Sequence, residues 1–177
     1  MRKMIAFVLA MASVLSVSAM SVSAATVDQN DTEALGTEFS FEFKNDPTYT
    51  VTIPSSIAIA KNGTQMDIVA ENVANLDGQK ISVTIAGTDQ YRNQMVLQGN
   101  TTSGPRTSMR YQFVKNDGTV IETTGGKDEV VGAELASFTE DGIASLTVLP
   151  VLNDPDLTNG VTYTGSMTYG IELVAID

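Results

Sequence analysis

The sequence predicts an all-β fold, an antiparallel β-sandwich of about seven to nine strands, and three observations carry that prediction. Apolar and polar residues alternate with period two along most of the chain, helical periodicity is nearly absent, and turn dipeptides recur at short intervals. A βαβ arrangement would need amphipathic segments of roughly 10–15 residues between strands, and none is present. Asp128 to Ser137 offers the one possible helical turn.

Residues 1–24 read as an export signal rather than as part of the fold. Arg2 and Lys3 precede an apolar run from Met4 to Leu15, and small residues follow up to Ala24 and Ala25, which suits cleavage after either alanine. The run falls short of the ~20 apolar residues that a membrane-spanning helix requires. Cleavage after Ala24 leaves 153 residues, enough for one domain with a single core. Residues 25–36, polar and rich in Asp, Glu and Thr, form a flexible arm, and the sandwich is expected over 37–177.

The strands follow in order. Phe39, Phe41 and Phe43 alternate with Ser40 and Glu42, and Tyr49, Val51 and Ile53 alternate with Thr50 and Thr52. Ile81, Val83 and Ile85 alternate with Ser82 and Thr84, Met95–Leu97 forms a short strand, and Met109–Phe113 continues the pattern. Each places β-branched or aromatic residues on one face and polar residues on the other, as in a sheet with one face in a core. Phe41, Val51, Val83, Ile85, Tyr169 and Ile171 are therefore expected to face inward. The alternation from Val161 to Leu173 is the longest; thirteen extended residues would span about 40 Å, so a bulge or bend is expected at Gly165 or Gly170.

Turn signals stand at Asn62-Gly63, Asp77-Gly78, Asn116-Asp117-Gly118, Gly125-Gly126, Asp141-Gly142 and Asn159-Gly160, and they predict hairpins. Pro54 and Pro150 mark strand ends, because proline has no N–H to give a ladder. Short strands at such spacing suit an immunoglobulin-like sandwich.

Composition excludes much chemistry. The chain has no Cys, His or Trp, so a Ser-His-Asp triad, a thiol nucleophile and a thiolate zinc site are ruled out. An exported chain without cysteine takes no stability from disulfides, a usage typical of bacterial rather than small eukaryotic secreted domains. With the first 24 residues removed, eight basic side chains face 21 acidic ones, a net charge of −13 that repels nucleic acid and favours solubility. An extracellular or cell-surface location follows from the signal, with no membrane span once it is cleaved.

The run Tyr49-Thr50-Val51-Thr52-Ile53-Pro54, with Tyr163-Thr164-Gly165-Ser166-Met167-Thr168-Tyr169 near the end, resembles exported β-sandwich surface proteins of Gram-positive bacteria, fimbria-like subunits among them. Thr168-Tyr169-Gly170-Ile171 is similar to the last strand of the WxL cell-wall-binding proteins. Tyr169 stands where that family has Trp and Ile171 where it has Leu, so wall binding by that route is not carried over. The resemblance implies a structural or adhesive role, through self-association or through an envelope or host-surface component.

Candidate sites are few. Tyr91, Arg92, Arg106 and Arg110 lie in or beside the polar stretch 87–108 and form a candidate binding surface, since Tyr and Arg contribute disproportionately to contacts. Asp154 and Asp156 are weak calcium candidates; counted from Asp154, Asn159 and Gly165 stand where an EF-hand loop needs Gly and Glu. Asp128/Glu129 and Glu140/Asp141 are adjacent pairs in turns, and adjacency does not place two carboxylates across a cleft. No cofactor and no catalytic activity are expected. A small glycan-binding module is the alternative, and exposed aromatics would decide for it.

Overall fold

The structure is a computed structural model that describes residues 41–42, 44–99, 107–152 and 157–176. Among these residues there are ten strands: β1 (Thr48–Thr52), β2 (Thr64–Ala74), β3 (Gln79–Thr88), β4 (Val96–Gly99), β5 (Thr107–Lys115), β6 (Val120–Ile121), β7 (Glu134–Phe138), β8 (Gly142–Pro150), β9 (Tyr163–Thr164) and β10 (Met167–Ala175). All pairings are antiparallel. The larger sheet runs β1-β2-β8-β5-β4-β9, with β6 also on β5, and the smaller runs β10-β3-β7. The result is an antiparallel two-sheet sandwich. β1, β2, β8 and β5 take the order of immunoglobulin strands A, B, E and D, and β10 lies beside β3 as F lies beside C. Among the described residues no strand stands outside β10, where G would be.

Alternation fills the space between the sheets. The larger sheet sends in Val51, Met66, Ile68, Phe113, Leu146 and Val148; the smaller sends in Ile81, Val83, Ile85, Leu135 and Phe138. Val51, Val83 and Ile85 face inward as expected, while Tyr169 and Ile171 pack against the core but stay half-buried. β7 skips a residue between Val83↔Ala136 and Thr84↔Glu134, and the bulge turns both Leu135 and Ala136 inward. A second bulge sits where β1 meets β2: Asn72 takes a left-handed φ of 58°, and the Thr48 hydroxyl donates to its carbonyl at 3.1 Å.

Several expectations are corrected. Phe41 does not face the core; it is 88% exposed and outside any strand, and the first sheet strand begins at Thr48. Asp128–Ser137 forms tight turns followed by β7, not a helical turn, because Gly132 and the Ile85 carbonyl draw the chain into the ladder instead. The only helical piece among the described residues is the 3-10 turn Tyr91–Asn93.

The turns also act differently from the prediction. Asn116-Asp117-Gly118 closes the hairpin β5–β6, but Asp77-Gly78 and Asp141-Gly142 lie in connections that carry the chain from one sheet to the other. Those connections, Asn75–Gly78 and Thr139–Asp141, lie at one pole of the sandwich and place the central strands over one another. The long alternation from Val161 likewise breaks at Gly165-Ser166, where the chain leaves the larger sheet after β9 and enters the smaller as β10. A Cβ at Gly165 would come within 2.9 Å of Leu97 Cδ2 and 3.3 Å of the Val96 carbonyl, so any larger residue at this crossing would have to displace the Leu97 side chain and shift the backbone slightly. Gly170 stays in register, opposite Thr84.

Replacing Ile85, fully enclosed on the central strand of the smaller sheet, with Ala should cost about 2–5 kcal/mol in denaturant unfolding. Ile171→Ala, at a half-buried position of the outer strand, should cost clearly less. Equal losses would show that β10 is covered as completely as β3.

Candidate functional site

The Tyr91–Arg92 pair is built by a turn that the rest of the chain holds in place. β3 ends at Thr88, and the Thr88 amide donates to Asn93 Oδ1 at 3.0 Å while its hydroxyl donates to the Gln94 carbonyl at 3.0 Å. The short loop so closed pushes residues 91–93 outward. Arg92 and Asn93 take left-handed φ values of 61° and 53°, and Tyr91 is 84% exposed.

Residues 122–129 buttress this turn from behind. Asp128 donates its amide to the Arg92 carbonyl at 3.0 Å and accepts from Asn93 Nδ2 at 2.6 Å; Gln94 Nε2 donates to the Gly126 carbonyl. Arg110 is engaged in the same segment, donating to the Thr123 carbonyl and lying 3.8 Å from Glu122. Tyr91 and Arg92 thus stand together at the surface, and Arg110 is a brace below them, committed to its own neighbours. Arg106, Asp154 and Asp156 lie outside the described residues. No cluster of three or more acidic residues suited to a metal ion occurs among the described residues.

The paired carboxylates serve the backbone. Glu129 accepts from the Thr124 hydroxyl at 2.7 Å, the Thr124 amide at 2.6 Å and the Gly125 amide at 3.2 Å. These donors, the Thr124 hydroxyl foremost, hold its carboxyl down at about 2. Asp141 accepts from the Val73 amide at 2.7 Å and so ties the β7–β8 connection to β2. Glu134 is part-buried, which works to raise its pKa, but the Ser82 hydroxyl at 2.8 Å and Lys80 at 3.1 Å outweigh that and lower it.

A second feature is a groove that no motif announced. It holds about 300 Å³ and runs between residues 54–59 and the β9–β10 crossing, with Leu97, Tyr111, Phe113 and Val148 as its floor. Residues 54–59 belong to no strand, yet Ile57 and Ile59 both pack on the core. Burial against this floor raises the pKa of Tyr111, aided by Tyr169 and Asp89, and burial also raises that of Tyr169. The sequence signal that could have found it is the alternation Ile57-Ala58-Ile59 immediately after a proline-ended strand.

The chain was compared with protein-family models, curated proteins and solved structures. None matches it. The site therefore has to be read from its own geometry. Among the described residues no helix is long and apolar enough to cross a membrane.

Glu129 supplies a pH-dependent prediction. Its folded pKa of about 2 lies below the ordinary 4.5, so its ionised form stabilises the fold above about pH 5, and that contribution disappears as pH falls toward 2. Thermal melts of the natural chain and of Glu129→Gln should differ by a constant interval above pH 5 and converge by pH 2. An interval unchanged across that range would mean that Glu129 does not hold the 124–129 segment through its charge.

Proposed function

We propose that this protein is an exported, non-catalytic structural or adhesive component of the bacterial cell surface, fimbria-like in kind, that works by association with copies of itself or with an envelope or host-surface component. The observation that carries this reading is the outer edge of β10, a nine-residue strand paired on one side only among the described residues, with an apolar groove beside its first residues. Unpaired backbone groups on such an edge are a template for another strand, and natural sandwiches shield their edges when association is not wanted. The signal-like residues 1–24 and the acidic composition agree with a soluble life outside the membrane.

Glycan binding is the second reading, and Tyr91 favours it. An aromatic ring 84% exposed, next to Arg92 on a braced turn, has the form of a platform for a sugar ring.

Light scattering on the exported chain divides the two. Association predicts a mass that rises with protein concentration, and deletion of residues 26–36 should leave that rise intact, because Val27, Ala34 and Leu35 are too few among the acidic residues to seat an arm in a groove. A monomer at every concentration, together with cell-wall polysaccharide binding abolished by Tyr91→Ala, would replace the structural reading with the glycan-binding one.

A further inference from the structure

The proposed function leaves open which surfaces meet, and the fold supplies a specific answer that rests on that reading. The groove lies on the side of β10 away from β3, since no residue of β3 or β7 lines it. One wall is the start of β10, Met167 and Tyr169; the other is Ile57 and Ile59; the floor is Tyr111 and Phe113. Among the described residues β10 pairs only with β3, and residues 54–59 are part of no strand. A strand laid between them would meet a hydrogen-bonding edge, and every second side chain would point at the apolar floor.

The chain contains a segment with the matching pattern, and its described residues, Phe41, Glu42 and Lys44, belong to no strand. Thr37-Glu38-Phe39-Ser40-Phe41-Glu42-Phe43-Lys44 carries three phenylalanines at period two, half of the six in the sequence. Laid out as a strand, that period would put all three on one face, a large apolar area with a strong drive to leave water. Phe41, the middle one, is 88% exposed.

Distance decides whose groove it fills. The residues leading into β1 lie at the pole of the Asn75–Gly78 turn: Asn75 Nδ2 donates to the Asp46 carbonyl at 3.2 Å. The end of β10 is at the same pole, where Ile176 donates to the Gly78 carbonyl at 3.1 Å. The groove is lined by the opposite end of β10, and from Ala175 back to Tyr169 and Met167 is about 20–27 Å at the rise of an extended strand. Fully extended from Lys44, Phe39 reaches only about 17 Å, and Phe41 about 10 Å. Phe41 and Phe43, two of the three phenylalanines, fall short of their own groove even with their side chains extended.

We infer that residues 37–44 of one copy add as a strand to the free edge of β10 of a second copy, with Phe39, Phe41 and Phe43 facing the groove between β10 and residues 54–59. Such a contact is head-to-tail, because the donor leads into β1 at the pole where Asn75 holds Asp46, whereas the acceptor groove lies toward the other pole. A head-to-tail contact that does not close on itself generates chains rather than dimers.

The test uses the exported chain, its Phe41→Asp variant and a synthetic peptide of residues 36–45. Because Phe41 is outside the core, Phe41→Asp should leave the thermal unfolding of the domain unchanged. It should reduce the mass seen by light scattering to that of a monomer. Adding the natural peptide to that monomer should slow hydrogen exchange at the outward amides of β10 by about tenfold or more, and a peptide carrying the same Phe→Asp change should not. A natural chain that associates equally well with and without Phe41→Asp would overturn strand addition while leaving self-association standing. A natural chain that is monomeric, with β10 amides protected only when Phe41 is present, would show that the segment folds back on its own groove and would overturn the second copy as occupant. A monomer with unprotected β10 amides that the peptide does not change would overturn both strand addition and the self-association on which it rests.

Discussion

β3 is the member on which the smaller sheet depends. Among the described residues β10 and β7 each hydrogen-bond to it and to no other strand, and its Ile81, Val83 and Ile85 are completely shielded from water between the two layers. The apolar face that β3 turns toward β2 and β8 across the core anchors the smaller sheet on the larger and, through β3, holds β10 and β7 in place. Short connections fix that superposition: Asn75–Gly78 delivers β3 directly from β2, and Thr139–Asp141 returns β7 to β8. Lys80, Ser82 and Glu134 add a polar lock on the outer face of the same strand pair.

Much of this was legible in the residues. The runs around Val51, around Val83 and Ile85, and around Phe113 alternate cleanly because each has water on one side, and all three are strands with the expected face inward. Pro54 and Pro150 stand at strand ends for the reason of their missing N–H. β2 and β8 were harder to see, since Val69, Ile143 and Leu149 place apolar residues on the outer face and blur the period. Phe41 was misplaced by the same rule that placed Val51: alternation says that one face of a segment is apolar, and does not say which molecule supplies the cover. Turn chemistry is equally local. Asp77-Gly78 specifies a reversal, but whether the next strand pairs with its predecessor or crosses to the other layer is decided by the core.

The candidate sites show the limit more sharply. Tyr91 and Arg92 are at the surface together, as their neighbourhood in sequence suggests, whereas Arg110 is held by Glu122 and Thr123 through a segment twelve residues downstream. The groove draws on five separate stretches of chain, from Pro54 to Tyr169, and no window of sequence contains it. Carboxylates that invite a catalytic reading turn out to cap backbone: Glu129 gathers the donors of Thr124 and Gly125, and Asp141 takes the Val73 amide beside the β2 bulge. Loops without cysteine are tied down by such contacts, and Tyr163 does the same where its hydroxyl accepts from the Thr158 amide at 2.6 Å and meets Thr107 Oγ1 at 2.9 Å.

The meeting of both ends of the domain at the Asn75–Gly78 turn also has a mechanical meaning. Tension applied between residue 46 and residue 176 would pull on β1 and β10 at the same pole, where β1 begins and β10 ends. Their ladder bonds would then open one after another, like a zipper, rather than resist together in shear. A domain with this geometry withstands little force through its own two ends, and in a load-bearing thread the pull has to enter through a strand held along its whole length at the far side of the sandwich.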